Sequence, residues 1–268
     1  MKRFTLHEMS IMRLFGGAVR RVRDLSHSVA WNNPFIANRN RKYLSNYSDV
    51  HTAQRCFILA NGPSLSRMDL SPLRNEITFG LNRIYLLFDR LEFLPTYYVC
   101  VNELVLAQFS REISGLSMPK FLNWGSRHVF DLNDPSVGFV RLLLTLRDGF
   151  QSDIRKPLYS GGTVTYVALQ IAYSMGFSEV ILVGLDHSFQ DKGVPNATVT
   201  QKSDVDNNHF HPDYFPKGVK WQLPDLRRSE LAYKIADNFY RANGRLVRDA
   251  TLGGKCPVFQ RVEYDKLF

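Results

Sequence analysis

CFILANGPSL, residues 56–65, is the stretch that decides the fold of this chain. An apolar run with the character of a buried strand ends abruptly in Asn61, Gly62, Pro63 and Ser64. This pattern is typical of a parallel strand that meets a ligand-binding loop, because ligands of open α/β sheets bind beyond the carboxyl ends of the strands. We expect Gly62 to let the backbone approach a ligand and Asn61 and Ser64 to offer polar contacts, with an ordinary tight turn as the alternative.

Asparagines also follow other strand-like runs. Three further predicted strands, at residues 77–82, 95–101 and 119–124, end at or beside Asn82, Asn102 and Asn123. A carboxamide offers a hydrogen-bond donor and an acceptor without charge, which suits bases, riboses and sugar hydroxyls, although asparagine is also common in turns. Together with Asn61, these asparagines predict one shared polar rim. Residues 103–113 are predicted to form a helix.

A second loop gives the clearest pattern in the chain. Ser160, Gly161, Gly162 and Thr163 precede residues 164–175, where apolar side chains recur at helical spacing. Unpaired amides and the positive end of the helix dipole make such a turn a seat for a phosphate or carboxylate, unless its residues only cap the helix. The next run, residues 179–187, is continuously apolar up to its end, which predicts a central strand with Asp186 facing the ligand crevice.

Residues 188–224 form a polar and aromatic loop, which we call the lid because long loops of this kind often cover a site. It contains His209 and His211, two candidate general bases, since a neutral imidazole can take a proton from a sugar hydroxyl near pH 7. Asp204 and Asp206 resemble the Asp-x-Asp metal motif of nucleotide-sugar enzymes, but they do not follow a strand. We therefore assign no metal ligands.

The remaining segments are less specific. Residues 128–154 contain an apolar stretch, 137–146, that fits either a helix covering the sheet or part of a lid on the acceptor side. Asp225 is predicted to open a second helix that Gly244 ends, and residues 245–251 are predicted to be a final strand.

Composition places the chain among globular α/β proteins. Its 268 residues, 44% hydrophobic and 22% charged, are enough for one α/β domain with appendages. Cys56, Cys100 and Cys256 are far apart and odd in number, which favours free thiols in a reducing compartment. No apolar run reaches the length of about 18 residues that a membrane span needs, so we expect a cytoplasmic protein.

Positive charge is concentrated at the N-terminus. Up to Arg55 the chain has ten basic and three acidic residues, which is +7 of the total formal charge of +9. We interpret residues 1–54 as a basic arm and residues 55–268 as the catalytic domain. Within the arm, residues 9–25 approximate an amphipathic helix, which fits peripheral contact with an anionic membrane at its inner face or packing against the body of the protein. No nucleic-acid-binding module accompanies it, so we expect no nucleic-acid partner.

Six blocks of sequence together resemble those of a known protein family. In chain order they are ANGPSL, GLN, YSGGTV, VGLD, NHFHPDYF and DATLGGK. They resemble the bacterial family described as 6-hydroxymethylpterin diphosphokinase MptE-like, which is related to motility-associated flagellin glycosyltransferases. They are also similar, more distantly, to the sialyltransferases of glycosyltransferase family 42. The resemblance covers roughly residues 55–268.

The resemblance implies a Rossmann-like fold, with a mainly parallel sheet and helices on both faces, and a nucleotide-activated sugar as co-substrate, CMP-linked in the sialyltransferases. It implies donor-binding roles along the strand ends, for Asn61, Gly62 and Ser64 at phosphate and ribose, Asn82 and Asn102 at sugar or base, and Ser160, Gly161, Gly162 and Thr163 at the nucleotide end. His209, or else His211, corresponds to the catalytic base. Ser188 and Phe189 stand where the sialyltransferases have phosphate-binding tyrosines, so the resemblance does not specify how the phosphate is held.

Two functions follow from these patterns. The first is a glycosyltransferase that modifies a surface glycan or lipid-linked acceptor. The alternative is a diphosphokinase that transfers pyrophosphate from ATP to a pterin alcohol, which needs Mg²⁺ and clustered carboxylates such as Asp186 with Asp204 or Asp206. Whether the chain forms an oligomer stays open.

Overall fold

The computed structural model describes residues 21–22, 24–145, 147–191 and 193–268. Within them, eight strands form one sheet in the order β10-β9-β6-β1-β2-β3-β4-β5, and every pairing in it is parallel. The sheet strands are β1 (Arg55–Leu59), β2 (Thr78–Leu81), β3 (Tyr97–Cys100), β4 (Lys120–Asn123), β5 (Val137–Val140), β6 (Glu179–Val183), β9 (Leu246–Asp249) and β10 (Gln260–Arg261). A separate antiparallel pair consists of β7 (Thr198–Thr200) and β8 (Lys220–Gln222). The predicted α/β fold with a parallel sheet is confirmed.

Several helices accompany the sheet in the described part of the chain. They are α1 (Pro34–Ser45), α2 (Glu103–Gln108), α3 (Ser110–Ser114), α4 (Val164–Ser174) and α5 (Leu226–Ala242). Residues 24–32 are also helical. None of the described helices combines the length and the apolar character needed to cross a membrane.

Strand β1 lies at the point where the strand order reverses. It pairs with β2 on one side and with β6 on the other, although β6 follows it by more than a hundred residues in the chain. Four of the five β1 residues are buried, as the apolar run predicts. Such a reversal opens a crevice at the carboxyl ends of the strands, so the loops after β1 and β6 are brought side by side where ligands bind in α/β folds.

Helix α4 is packed beneath this crevice. Ten of its eleven residues are buried, more than the amphipathic pattern alone requires, because the helix lies between the sheet and α5. Thr163 caps its first turn by accepting a hydrogen bond from the amide of Thr165. The N-terminus of the helix therefore lies at the same edge of the sheet as the carboxyl ends of β1 and β6.

One of the two alternatives for residues 137–146, the helix, is wrong, and the predicted helix at 103–113 is confirmed with a break. The apolar stretch 137–146 contains no helix in its described residues, and its first part forms edge strand β5. Gly138 in this strand lets the ring of Tyr43 from α1 lie against the backbone, since a Cβ there would stand 2.1 Å from the ring. The predicted helix at 103–113 is divided into α2 and α3, because Phe109 has the non-helical backbone angles φ −127° and ψ 25°.

The described part of the predicted arm packs on the body. Asn40 of α1 donates to the carbonyl oxygen of Phe139 at 2.9 Å and accepts from its amide at 2.7 Å, so the helix is hydrogen-bonded to the edge strand β5. Trp31 and Leu44 are buried in the core, and Asp24 pairs with Arg141. The part of the predicted amphipathic helix up to residue 20 lies outside the described residues. The domain boundary at residue 54 stays a prediction.

The lid is attached to the body by backbone contacts. The amide of Phe210 donates to the carbonyl oxygen of Asn61 at 3.1 Å, and the guanidinium of Arg83 donates to the carbonyl oxygens of Asp213 and Tyr214. At the other end of the lid, Gln108 of α2 hydrogen-bonds the backbone of β8 in both directions. These contacts place residues 206–215 over the crevice beside β1 and β2.

Candidate functional site

A pocket occupies the crevice beyond β1, β2 and β6. Its walls come from the loops after these strands, the start of α4, the lid and one face of α5. The polar and aromatic lining residues are Asn61, Asn82, Thr163, Thr165, Asp186, His187, Ser188, Phe189, Asn208, His209, Tyr214, Ser229 and Tyr233. The two loops that sequence analysis selected, after β1 and before α4, both contribute to this one pocket.

Asp186 and Gly62 form the floor of the pocket. The carboxylate of Asp186 accepts two hydrogen bonds from Ser64, at 3.1 Å from the amide and at 2.6 Å from the hydroxyl. A Cβ at Gly62 would stand 1.9 Å from an oxygen of Asp186, so only glycine permits this approach. Ser64 is fully buried and does not line the pocket, so its hydroxyl holds Asp186 instead of offering the ligand contact expected for it.

The environment of Asp186 changes its ionisation. Burial raises the pKa of the Asp186 carboxyl above its ordinary value, and the two hydrogen bonds from Ser64 oppose this shift because they stabilise the charged form. The same two hydrogen bonds hold the Asp186 carboxyl group in one orientation at the floor of the pocket.

Asn61 and Asn82 present unused hydrogen-bond acceptors. Both residues line the pocket, and the carboxamide oxygen of each is buried without a partner among the described residues. Leaving such an oxygen unpaired costs about 1–3 kcal/mol, so buried acceptors of this kind are usually satisfied by a ligand or water. Asn82 also has a positive φ of 47°, which asparagine tolerates better than most residues. A ligand with hydroxyl or amine donors fits these two positions.

The other two strand-end asparagines have a different role. The Asn102 side chain accepts hydrogen bonds from the amides of Leu104 and Val105, at 2.9 and 3.2 Å, and so caps α2. Asn123 accepts from the amide of Gly125 at 2.9 Å. Neither lines the pocket beside β1 and β6, so the predicted rim of four asparagines is reduced there to Asn61 and Asn82.

Within the turn before α4, the four predicted residues also divide into two groups. Gly162 and Thr163 line the pocket. Ser160 and Gly161 do not line the pocket and stabilise the turn. The carbonyl oxygen of Ser160 accepts a hydrogen bond from the amide of Thr163, and Gly161 packs against Tyr166. The pocket therefore meets the N-terminus of α4 through the second half of the turn.

His209 enters the pocket from the lid. Its Nδ1 lies 2.8 Å from a carboxylate oxygen of Asp206, and its ring stacks on Tyr214 with 3.9 Å between ring centroids. Its Nε2 has no partner among the described residues. When Nδ1 carries the proton shared with Asp206, Nε2 is the basic nitrogen, which is the arrangement that general bases of His–carboxylate pairs use.

The neighbouring candidates in the lid are placed elsewhere. His211 does not line the pocket, and its Nδ1 accepts a hydrogen bond from the amide of Asp213. Asp204 is exposed beside Lys217, whereas Asp206 is buried and bonded to His209. The two carboxylates of the Asp-x-Asp sequence thus have separate partners and do not converge on one point.

His187 and Glu230 were not among the predicted site residues. His187 lines the pocket directly after Asp186, and its Nε2 lies 3.0 Å from a carboxylate oxygen of Glu230 on α5. The position of His187 at the end of a predicted strand was a signal that could have identified it as a site residue. Its pairing with a residue 43 positions later could not be inferred from the sequence, because that contact depends on how α5 packs beside the loop after β6.

Comparison with solved structures supports the fold. The chain is similar to a MAf glycosyltransferase from Magnetospirillum magneticum AMB-1, with a TM-score of 0.52 and 15% sequence identity. The match covers 86% of this chain and 39% of that one, so the chain spans about two-fifths of the length of this neighbour. No curated protein matches the sequence.

The family comparison covers more than half of the chain. The family model described as 6-hydroxymethylpterin diphosphokinase MptE-like matches residues 29–192. The match begins earlier than the predicted resemblance, within the segment that packs on β5, and it ends before His209. The resemblance to this family is confirmed, whereas the more distant one to the sialyltransferases stays a prediction. The chain belongs to the MptE-like family.

Proposed function

We propose that this protein is a glycosyltransferase that uses a nucleotide-activated sugar as donor. The observation that carries the proposal is the Asp206–His209 pair at the strand-order reversal: the imidazole lines the pocket, and its Nε2 has no partner among the described residues. The fold similarity to a MAf glycosyltransferase is consistent with this function.

The donor side of the pocket has suitable chemistry. The amides at the start of α4 and the dipole of this helix favour the phosphate of a nucleotide. The unpaired carboxamide oxygens of Asn61 and Asn82 accept hydrogen bonds from ribose or sugar hydroxyls. A nucleotide-activated sugar has both groups, and in our proposal it lies with its phosphate near Thr163.

In the transfer step, His209 acts as general base. The acceptor hydroxyl oxygen forms a bond to the anomeric carbon of the donor sugar, and its proton moves to Nε2 of His209. The bond from that carbon to the phosphate oxygen breaks, and the electron pair leaves with the nucleotide. Asp206 holds the ring and stabilises the imidazolium that forms, since its carboxylate is 2.8 Å from Nδ1.

A diphosphokinase is the alternative that the family description suggests, and its Mg²⁺ would need converging carboxylates. The described residues do not fit this requirement. The oxygens of Asp186 are bonded to Ser64, Asp206 is bonded to His209, and Asp204 is exposed. The geometry therefore supports the glycosyltransferase better, and we derive no step through a metal.

The acceptor and its location are further parts of the proposal. A surface glycan or lipid-linked sugar would bring the enzyme to the inner face of the cytoplasmic membrane. The excess of basic residues before residue 55 suits contact with anionic lipids, and Val22, Leu25 and Val29 are exposed. Cosedimentation with anionic liposomes at low and high salt tests this placement, which fails if lipid binding is absent at low salt.

Two histidine substitutions test the mechanism. On whichever CMP-, UDP- or GDP-sugar the wild type uses, His209→Ala should reduce kcat roughly 10²–10⁴-fold with donor affinity almost unchanged. His211→Ala is the matched control, two residues away and outside the pocket lining, and it should retain activity. Full turnover by His209→Ala would remove the histidine mechanism.

The same assay separates the two enzyme classes. If the protein is a diphosphokinase, ATP and a pterin alcohol should be consumed, EDTA should stop the reaction, and Asp186→Asn should be more damaging than His209→Ala. A glycosyltransferase of the proposed kind should show the opposite order.

A further inference from the structure

The pocket has few positive charges for a ligand that contains phosphate. Within the described residues, the side chains that line it include no lysine and no arginine, whereas the carboxyl group of Asp186 is among them. The start of α4 supplies only part of a positive charge. If the proposed function is correct, a cationic group in the pocket would strengthen the binding of the donor phosphate beyond what the start of α4 provides.

Arg228 lies close to the turn but has another partner. Its side-chain stem lies beside Gly162, 3.4 Å from where a Cβ would stand. Its guanidinium donates to both carboxylate oxygens of Asp148, at 3.1 and 3.4 Å. Its charge is therefore compensated by Asp148, and neither residue lines the pocket.

His187 has the geometry that the pocket requires. Its side chain is 5% exposed and lines the pocket, with Nε2 held at 3.0 Å by the carboxylate of Glu230. Its other ring nitrogen, Nδ1, has no protein partner within the described residues. Glu230 fixes the ring and accepts one of its protons, which leaves the second nitrogen for a ligand.

The backbone at His187 also marks the position as unusual. Its φ is 53°, in the left-handed region that non-glycine residues adopt uncommonly, although histidine is enriched there together with asparagine and aspartate. Strain of this kind persists where surrounding contacts require it, often at ligand sites. Tyr233 connects the position to α4, because its ring lies 6.2 Å from that of His187 and its hydroxyl lies 3.4 Å from Thr163.

We propose that His187, as an imidazolium held by Glu230, binds the phosphate of the nucleotide donor through Nδ1 and stabilises the departing nucleotide. This inference rests on the proposed function. During transfer, the phosphate oxygen that leaves the anomeric carbon retains the electron pair of the broken bond, and His187 donates a hydrogen bond to it without losing its proton. The acceptor proton goes to His209, so the two imidazoles act on opposite ends of the reaction.

The test compares nucleotides with nucleosides. His187→Asn removes the imidazole with a residue that tolerates positive φ, and His128→Asn, at an exposed position outside the pocket, is the matched control. Calorimetry measures binding of CMP against cytidine and of UDP against uridine. His187→Asn should weaken nucleotide binding about 10- to 100-fold, the range for a charge-assisted hydrogen bond, and leave nucleoside binding unchanged. His128→Asn should bind both like the wild type.

Glu230→Gln provides a second variant that retains the imidazole. It should weaken nucleotide binding in the same direction by a smaller factor, because the amide no longer provides a negative charge. If both variants leave the ratio of nucleotide to nucleoside affinity unchanged, the inference is wrong, including the case in which both ligands weaken equally. If the wild type binds no nucleotide at all, the proposed function fails and the inference with it.

Discussion

The two halves of the sheet edge use the same residue type for different purposes. Beyond β1 and β2, Asn61 and Asn82 have buried carboxamide oxygens without partners among the described residues. Beyond β3 and β4, Asn102 and Asn123 occupy the equivalent strand ends. Their side-chain oxygens accept hydrogen bonds from backbone amides and so cap the helical turns that begin there. Position at a strand end is therefore not enough to identify a binding residue. The partner of the side-chain oxygen distinguishes the two roles.

Energetics explain why the difference is informative. A capping asparagine stabilises a helix by about 1 kcal/mol, so Asn102 and Asn123 are explained by folding alone. A buried acceptor without a partner costs stability, so Asn61 and Asn82 are better explained by a ligand. The asparagines beyond β3 and β4 therefore have a structural role, whereas those beyond β1 and β2 are available to a ligand.

The largest expected contrast is between Gly62 and Gly125, which lie in the two halves. A Cβ at Gly62 would stand 1.9 Å from an oxygen of Asp186, whereas one at Gly125 would stand 3.1 Å from an oxygen of Glu103 and 3.3 Å from the side-chain oxygen of Asn123. Gly62→Ala should lower the free energy of unfolding by about 1–3 kcal/mol, as overpacking does. Gly125→Ala should lower it by a smaller amount, because its Cβ approaches its neighbours less closely.

Urea unfolding monitored by circular dichroism measures both values. Equal stability of the two variants would show that the floor of the pocket accommodates a Cβ at position 62. The close approach of Gly62 to Asp186 would then not require glycine.

A smaller contrast is expected between Asn102 and Asn61. Asn102→Ala removes a helix cap and should cost about 1 kcal/mol of unfolding free energy. Asn61→Ala removes an oxygen that has no partner, so stability should be unchanged or slightly increased. The same unfolding experiment decides, and a clear loss of stability in Asn61→Ala would mean that its side chain has a structural role after all.

Much of the fold could be predicted because the signals are local. Strands β1, β2, β3, β4 and β6 are short apolar runs that end at turn residues, and helices α4 and α5 have clear starts and stops. Strand β5 was missed because its apolar residues continue into a longer apolar stretch, which conceals the strand end. The capping role of Asn102 had a local signal too, since it stands directly before a predicted helix.

The site was less predictable than the fold. His209 could be selected as a histidine in a polar lid, but its carboxylate partner Asp206 was considered only as part of a metal motif. The His187–Glu230 pair depends on contact between α5 and the loop after β6, and nothing in the local sequence of either residue indicates it. Side-chain pairs between residues far apart in sequence therefore could not be inferred from local sequence patterns.

The central claim is that the pocket beyond β1, β2 and β6 binds a nucleotide. Thermal unfolding with CMP, CDP, UDP, GDP and ATP, each with and without Mg²⁺, tests it most directly, because a ligand bound at 100 times its Kd adds about 2.7 kcal/mol of stability. We predict a rise in Tm with at least one cytidine, uridine or guanosine nucleotide without Mg²⁺, reduced in Asn61→Ala and retained in Asn102→Ala. No rise with any nucleotide, or an equal rise in both variants, would contradict the account.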